Sequence, residues 1–293
     1  MTVRVATRPR DSAAVWCKRA IAPANAGGKN VTHDSRFLVD VGIKDLPYPM
    51  RSISALDPDG QATIANVSVD ARIMQTFEPR WIDTFIQILH KHRGCIGPRT
   101  LKTNILEYVR ALKAATVKVV FDYPFFVEKR TPVSKERCLV CCRCAYSATA
   151  HDIGKDSRTL FRVEVPCVTT YPVSDTKSPG GLFGQLSMLD VEVESVDNVY
   201  PEDLVNLVDR HALAPVYSFL TEEDQTALID RIHSDKKTSV VVVDEVKTEL
   251  ARKRDISWYA VRCHNFGMLH SYSTIIRTEK SDWVPFSGFE DEP

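Results

Sequence analysis

The chain has 293 residues, 44% hydrophobic and 26% charged, enough to bury a large core in one or two domains. Lysine plus arginine number 38, as do aspartate plus glutamate, and a formal charge of zero argues against a surface that tracks nucleic-acid phosphates. No apolar run approaches the roughly 20 residues of a membrane span, and no signal-peptide apolar region is evident, so a reducing, cytoplasmic setting is expected for the eight cysteines.

Residues 1–35 show no sustained period and read as a frayed basic tail, with an organelle transit peptide as the alternative, since Arg4, Arg8, Arg10, Lys18 and Arg19 stand against Asp11. Residues 37–43 read as a strand ended by a turn at Pro47 and Pro49, and Asp57-Pro58-Asp59-Gly60 is a turn by composition. Thr63, Ala65, Val67, Val69, Ala71 and Ile73 alternate with mostly polar partners as a long strand. Pro79 suits the first turn of a helix whose face is Trp81, Ile82, Phe85, Ile88 and Leu89; Leu101, Ile105, Val109 and Leu112 mark a second helix. Val117, Val119, Phe121, Tyr123, Phe125 and Val127 alternate as a strand in which Pro124 predicts an edge or bulge, and a weaker strand carries Cys142, Cys144 and Tyr146.

Phe161, Val163, Val165 and Cys167, then Leu189, Val191 and Val193, form two strands by their period of two. The Pro/Gly/Ser-rich stretch 169–184 between them is too long for a tight turn and is expected to form one wall of a pocket. Pro201 opens a helix with Glu202 and Asp203 in its first turn, where the helix dipole favours acids, and Thr221 caps another along Leu228, Ile229 and Ile232. A third helix is expected over 241–252, and strands at 258–266 and 268–278 close the chain. Strands, then helices, then strands occur twice. That order favours an α+β fold, antiparallel sheet with helices on one face, divided into a tail at 1–35, a first unit at 36–130 and a second at 131–293.

Asp40-Val41-Gly42-Ile43 with Tyr48-Pro49, Phe85-Ile86-Gln87-Ile88-Leu89 and Pro132-Val133-Ser134 stand in the order and spacing of one enzyme family. Val165-Pro166, then Pro172, Ser174, Gly181, Gln185 and Ser187, and finally Asn265-Phe266 and Leu269-His270 continue the pattern. In these segments the chain resembles the type IB GTP cyclohydrolases. The resemblance implies two tandem tunnelling-fold (ββααββ-like) units and association into a homo-oligomer, a dimer or tetramer. It also implies a purine or pterin-type small-molecule ligand, and a divalent metal, zinc above all, that activates water to open the guanine imidazole ring with loss of formate.

The same resemblance marks where this chain departs from the family. The cysteine of the family's Leu-Cys-Pro-Cys-Ser loop falls on Tyr171, the histidine of its Gly-Ala-His-Asn-Gln segment on Phe183, and its glutamate after Arg-Pro-Asp on Gln225. His270 is kept, while the second histidine of that His-x-His becomes Tyr272, and the histidine opening the first helix becomes Trp81. The glutamate that anchors the purine falls on Val240 by ungapped counting, with Asp244 or Glu245 reached by a short gap. Tyr171 and His270 are thus the candidate catalytic groups, and Phe183, Gln185, Gln225 and Trp81 the candidate ligand contacts.

Cys138-x-x-Cys141-Cys142-x-Cys144 is a feature that the family pattern does not contain. Four thiols in one short segment suit part of a zinc site, although in a strand Cys142 and Cys144 face one side and Cys141 the other; the alternative is that they are small core hydrophobes. Cys263 and His264, with Cys167 and His270, are candidates for a rebuilt metal site. Three readings follow: a divergent family member binding a purine or pterin with ring-opening altered or lost, an active GTP cyclohydrolase with a rebuilt metal site, and a non-catalytic assembly subunit.

Overall fold

The computed structural model describes residues 38–74, 81–152, 157–177, 179–267, 269 and 271–281. The basic tail, Pro79 and His270 lie outside them. The first half runs β1 (Leu38–Ser52), β2 (Gln61–Met74), α1 (Trp81–Lys91), β3 (Cys95–Ile96), α2 (Pro98–Leu112), β4 (Ala114–Arg130) and β5 (Arg137–His151). The second runs β6 (Ser157–Thr170), β7 (Gly184–Ser195), α3 (Pro201–His211), β8 (Ala214–Pro215), α4 (Glu222–Ser234), α5 (Ser239–Arg252), β9 (Ile256–Phe266) and β10 (Ser273–Glu279). The strands join in one sheet in the order β10-β9-β7-β6-β5-β4-β2-β1-β3, with β8 beside β6, and among the described strands only the short β1–β3 pair is parallel. The fold is α+β, as the order of strands and helices predicts.

Alternation decides which face of the sheet is covered. Val117, Val119, Phe121, Tyr123, Phe125 and Val127 of β4 are buried, as are Phe161, Val163, Val165 and Cys167 of β6. They share one core with Leu101 and Ile105 of α2, Leu204 and Val208 of α3, and Val242 and Val246 of α5. The intervening positions, on the opposite face, mix charged residues such as Lys118, Asp122, Arg162 and Glu164 with apolar ones such as Val120 and Phe126. There Asp190 lies 3.6 Å from Arg262 and 4.0 Å from Arg162, and burial raises its carboxyl to about 6 against the pull of both arginines.

Two expectations change and a third is met. β1 does not stop at its prolines but runs through Pro47 and Pro49, paired with Asn66 and Ile64 of β2. Over that stretch β1 is an edge strand, so the missing N–H groups face away from the ladder. A bulge between Ile43 and Leu46, with Asp45 at φ 55°, restores the register, and Ser68 Oγ accepts the Asp45 N–H at 3.2 Å. Pro124 meets its expectation: the β2–β4 ladder ends at Asp122, so at Pro124 the strand pairs with β5 alone and is locally an edge. Beyond it Thr63 Oγ1 donates to the Pro124 carbonyl, and Gln61 exchanges two hydrogen bonds with the Phe126 backbone. The strand carrying the cysteine cluster is not weak: β5 is 15 residues long and pairs with β4 from end to end.

Asp224 ties α4 to the turn between β4 and β5. Its Oδ1 accepts from Val133 N and Ser134 N at 2.8 and 3.0 Å, and its Oδ2 from Ser134 Oγ, Thr221 N and Thr221 Oγ1 at 2.6, 3.1 and 2.8 Å. Burial opposes its ionisation, yet these donors together hold the carboxyl well below the usual carboxylate range. A depressed folded-state pKa stabilises above the unfolded value and loses that contribution as pH falls toward the folded one. Asp224→Asn is therefore expected to lower the urea midpoint at pH 7, with the gap to wild type narrowing only below about pH 4.

Candidate functional site

The loop between β6 and β7 closes on itself at its base. Thr170 pairs with Gly184, and Tyr171 N donates to the Phe183 carbonyl at 2.9 Å, so the two side chains leave the sheet together. Their rings stack with centroids 5.0 Å apart and planes 20° apart; Tyr171 is buried and Phe183 half-buried. Ser174 returns to Tyr171, its Oγ and N donating to that carbonyl at 2.7 and 3.0 Å, which turns the chain sharply at Pro172 and Val173. Gly181, at φ +67°, supplies the left-handed backbone that brings the loop back. A Cβ at Gly184 would stand 2.7 Å from Val168 Cγ1 and 3.0 Å from Ile232 Cγ2, so glycine lets α4 pack onto the base of the loop.

The α4–α5 connection runs alongside this base. Lys237 N donates to Thr170 Oγ1 at 2.6 Å, Thr170 N donates to the Lys237 carbonyl at 2.8 Å, and Thr238 bridges Thr170 in parallel. Behind the loop, a row of buried polar side chains crosses β6, β7 and β9. Ser187 Oγ donates to Asn265 Oδ1 at 2.8 Å, so Thr169 Oγ1 is the donor in its 2.8 Å bond to Ser187, and Gln185 Nε2 donates in turn to Thr169 at 3.3 Å. Asn265 Nδ2 donates to Ser239 Oγ at the start of α5 and to Thr274 Oγ1 of β10, at 3.1 and 3.2 Å. Cys263 Sγ adds a contact to Asn265 Oδ1 at 3.4 Å.

These residues sit at inward strand positions where the alternation predicts apolar side chains. Thr169, Ser187 and Asn265 interrupt the pattern at the same end of three strands, and that shared interruption is the sequence signal for the row. Gln185, a candidate ligand contact, is 3% exposed and spends its amide within the row.

The other candidates are dispersed. Gln225 lies exposed on α4, where its Nε2 donates to the Leu220 carbonyl at 3.3 Å. Trp81 is buried in the core as the first residue of α1. Val240 is exposed, Asp244 pairs with Lys247 at 2.7 Å, and Glu245 pairs with Lys237 at 2.7 Å. Cys263 and His264 cannot hold one ion together. As neighbours in β9 they face opposite sides of the sheet, Cys263 toward the helices and His264 away, between Met188 and Ile275.

The cysteine cluster is split in the same way. Cys138, Cys142 and Cys144 are buried on the helix side and Cys141 is exposed on the other. Burial pushes the Cys142 and Cys263 thiols up to about 12 and also raises Cys144 and Cys167 well above the usual thiol value. Among the described residues, no three His, Cys, Asp or Glu side chains form a group suited to a metal ion.

The sequence profile described as Type I GTP cyclohydrolase folE2 matches residues 30–275. The chain belongs to this FolE2 family. It is 30% identical to the GTP cyclohydrolase FolE2 of Syntrophotalea carbinolica over 239 residues, covering 82% of this chain and 88% of that one. To the GTP cyclohydrolase FolE2 of Geobacter sp. strain M21 it is 27% identical over 253 residues, covering 86% and 93%. In fold it is similar to the uricase of Arthrobacter globiformis, with a TM-score of 0.50 at 8% identity over 89% of this chain and 99% of that one. The urate oxidase of Bacillus sp. TB-90 matches equally well, with a TM-score of 0.50 at 8% identity, covering 84% and 100%.

Within this FolE2 member the polar row makes a direct prediction. Asn265→Ala removes the acceptor of Ser187 and the donor to Ser239 and Thr274, leaving buried polar groups unsatisfied. It is expected to cost about 2–3 kcal/mol in urea unfolding, against about 1 kcal/mol for Ser239→Ala, which removes one bond at the end of the row.

Proposed function

We propose that this chain keeps the family's ligand pocket, binds a purine or pterin there, and has altered or lost the ring-opening chemistry. The observation that carries the reading is the Tyr171–Phe183 stack. The two positions that the resemblance assigns to a thiolate and an imidazole lie side by side at the base of one loop, as two ligands of one ion must. They hold a phenol and a phenyl ring instead. A phenyl ring has no lone pair to give, and Gln225 offers an amide where the family places a carboxylate, so these side chains do not fit a divalent cation. Stacked rings do suit a flat heterocycle, whose face lies against aromatic surface.

The element order supports tandem units in the same reading. β1, β2, two helices, β4 and β5 are followed by β6, β7, helices, β9 and β10, each set neighbouring in the sheet. Because Arg130 and Arg137 pair within the β4–β5 hairpin, we place the joint between β5 and β6. The outer strands β10 and β1 leave sheet edges on which copies can associate, in keeping with a dimer or tetramer.

The second reading, an active GTP cyclohydrolase, is favoured by relatives of that name matching over most of both chains. A formate-release assay on GTP with added zinc, together with metal analysis of the purified chain, separates the two. The expected result is no formate above background and less than one metal per chain, while saturating GTP or neopterin raises Tm by about 5 °C. Steady formate release with a stoichiometric metal overturns the altered chemistry, and no Tm shift with any purine or pterin overturns ligand binding.

A further inference from the structure

His211, the last residue of α3, is held between two carboxylates of α5. Its Nδ1 lies 3.2 Å from Glu245 Oε2 and its Nε2 lies 2.7 Å from Glu249 Oε2. A carboxylate accepts and does not donate, so both ring nitrogens must carry protons for both bonds to form. Only the imidazolium satisfies this geometry; a neutral ring donates to one carboxylate and turns a lone pair toward the other.

The contacts lead from this ring to the pocket. Glu245 Oε2 also accepts from Lys237 Nζ at 2.7 Å. The Lys237 backbone is the segment hydrogen-bonded in both directions to Thr170, the residue before Tyr171. Two residues on, Ser239 opens α5 and accepts from Asn265 of the buried polar row. The charged groups around the ring are Glu245 and Glu249 of α5, Lys237 of the α4–α5 connection and Arg210 of α3, which pairs with Glu249. His211 and Lys237 are each about three-quarters buried, with 23% and 24% of their side chains exposed, so bulk solvent screens the chain of contacts only in part.

We propose that His211 is a positioning residue that makes ligand affinity depend on pH, its imidazolium clamping α3 to α5 and so fixing the 237–239 segment beneath Tyr171. This rests on the pocket reading above. When the proton leaves, one of the two carboxylate contacts turns repulsive, Glu245 or Glu249 swings off the ring, and the base of the loop loosens. Binding is therefore tighter where the ring holds both protons and weaker where it has lost one, a contrast to be read between about pH 5 and pH 8.

The test measures the affinity of the full-length chain for neopterin and for GTP across that range, by protein fluorescence, for wild type, His211→Gln and Glu249→Gln. Neopterin carries no phosphate, so its profile is free of the ligand's own phosphate titration. Wild type is expected to lose about five-fold in affinity from the acid to the alkaline end. His211→Gln should stay flat near the wild-type alkaline value, and Glu249→Gln should flatten too, because a neutral ring then suffices to hold Glu245. Equal pH slopes in all three proteins overturn the proposal. If neither ligand binds at any pH, the pocket reading fails, and hydrogen exchange at the Thr170 and Lys237 amides then decides the clamp by itself. After correction for intrinsic rates, protection that falls with pH in wild type but not in His211→Gln upholds it; parallel behaviour overturns it.

Discussion

Asn265 is a fully committed amide in the interior of the sheet. Its carbonyl accepts from Ser187 and its NH2 donates to Ser239 and Thr274, so one side chain joins β9 to β7, to β10 and to the first turn of α5. Because Ser187 gives its only proton to Asn265, Thr169 must donate to Ser187 and Gln185 to Thr169, and the row has a single direction. In a low-dielectric interior such a directed chain is worth more than isolated bonds, and leaving one member unpaired is correspondingly costly. The row therefore dictates where β6, β7, β9 and α5 meet, and the loop bearing Tyr171 and Phe183 is built on that junction.

Around the junction, polar contacts do the locating and apolar contacts supply the bulk of the burial. α2, α3 and α5 press on one side of the sheet through Leu, Ile and Val side chains that are nearly inaccessible to solvent. Such packing is insensitive to small shifts along the strands. Asp224 at the β4–β5 turn, Lys237 beside Thr170 and the absent side chain at Gly184 remove that freedom, each at one end of α4 or its connection. The loop base inherits its position from all three.

The strands were legible because burial on one face writes a period of two into the sequence, and β4, β6, β7 and β9 fall where that period runs. Pro47 and Pro49 predict an end to β1 that does not occur, because proline is a reliable terminator only where its N–H would be needed, and an edge strand does not need it. The candidate site was legible in part. Thr170-Tyr171 and Phe183-Gly184 are separated in the chain yet adjacent in space, as their shared loop implies. Pairings that depend on how helices cross the sheet were not readable. Nothing in the local sequence of His211 points to Glu245 and Glu249, which are one helical turn apart on an element 34 residues away. The sides taken by the cysteines were readable, since alternation alone puts Cys142 and Cys144 on one face of the strand and Cys141 on the other.

That division of the cysteines has a practical side. Of Cys138, Cys141, Cys142 and Cys144, only Cys141 meets solvent, so a maleimide or iodoacetamide reagent finds one reactive sulfur in the native segment and four once the strand has come apart. The segment thus carries its own folding reporter, in which mass added per chain reads the population that has opened the centre of the sheet. A fluorophore attached at Cys141 alone would lie on the face opposite α2, α3 and α5, positioned to register whatever approaches it.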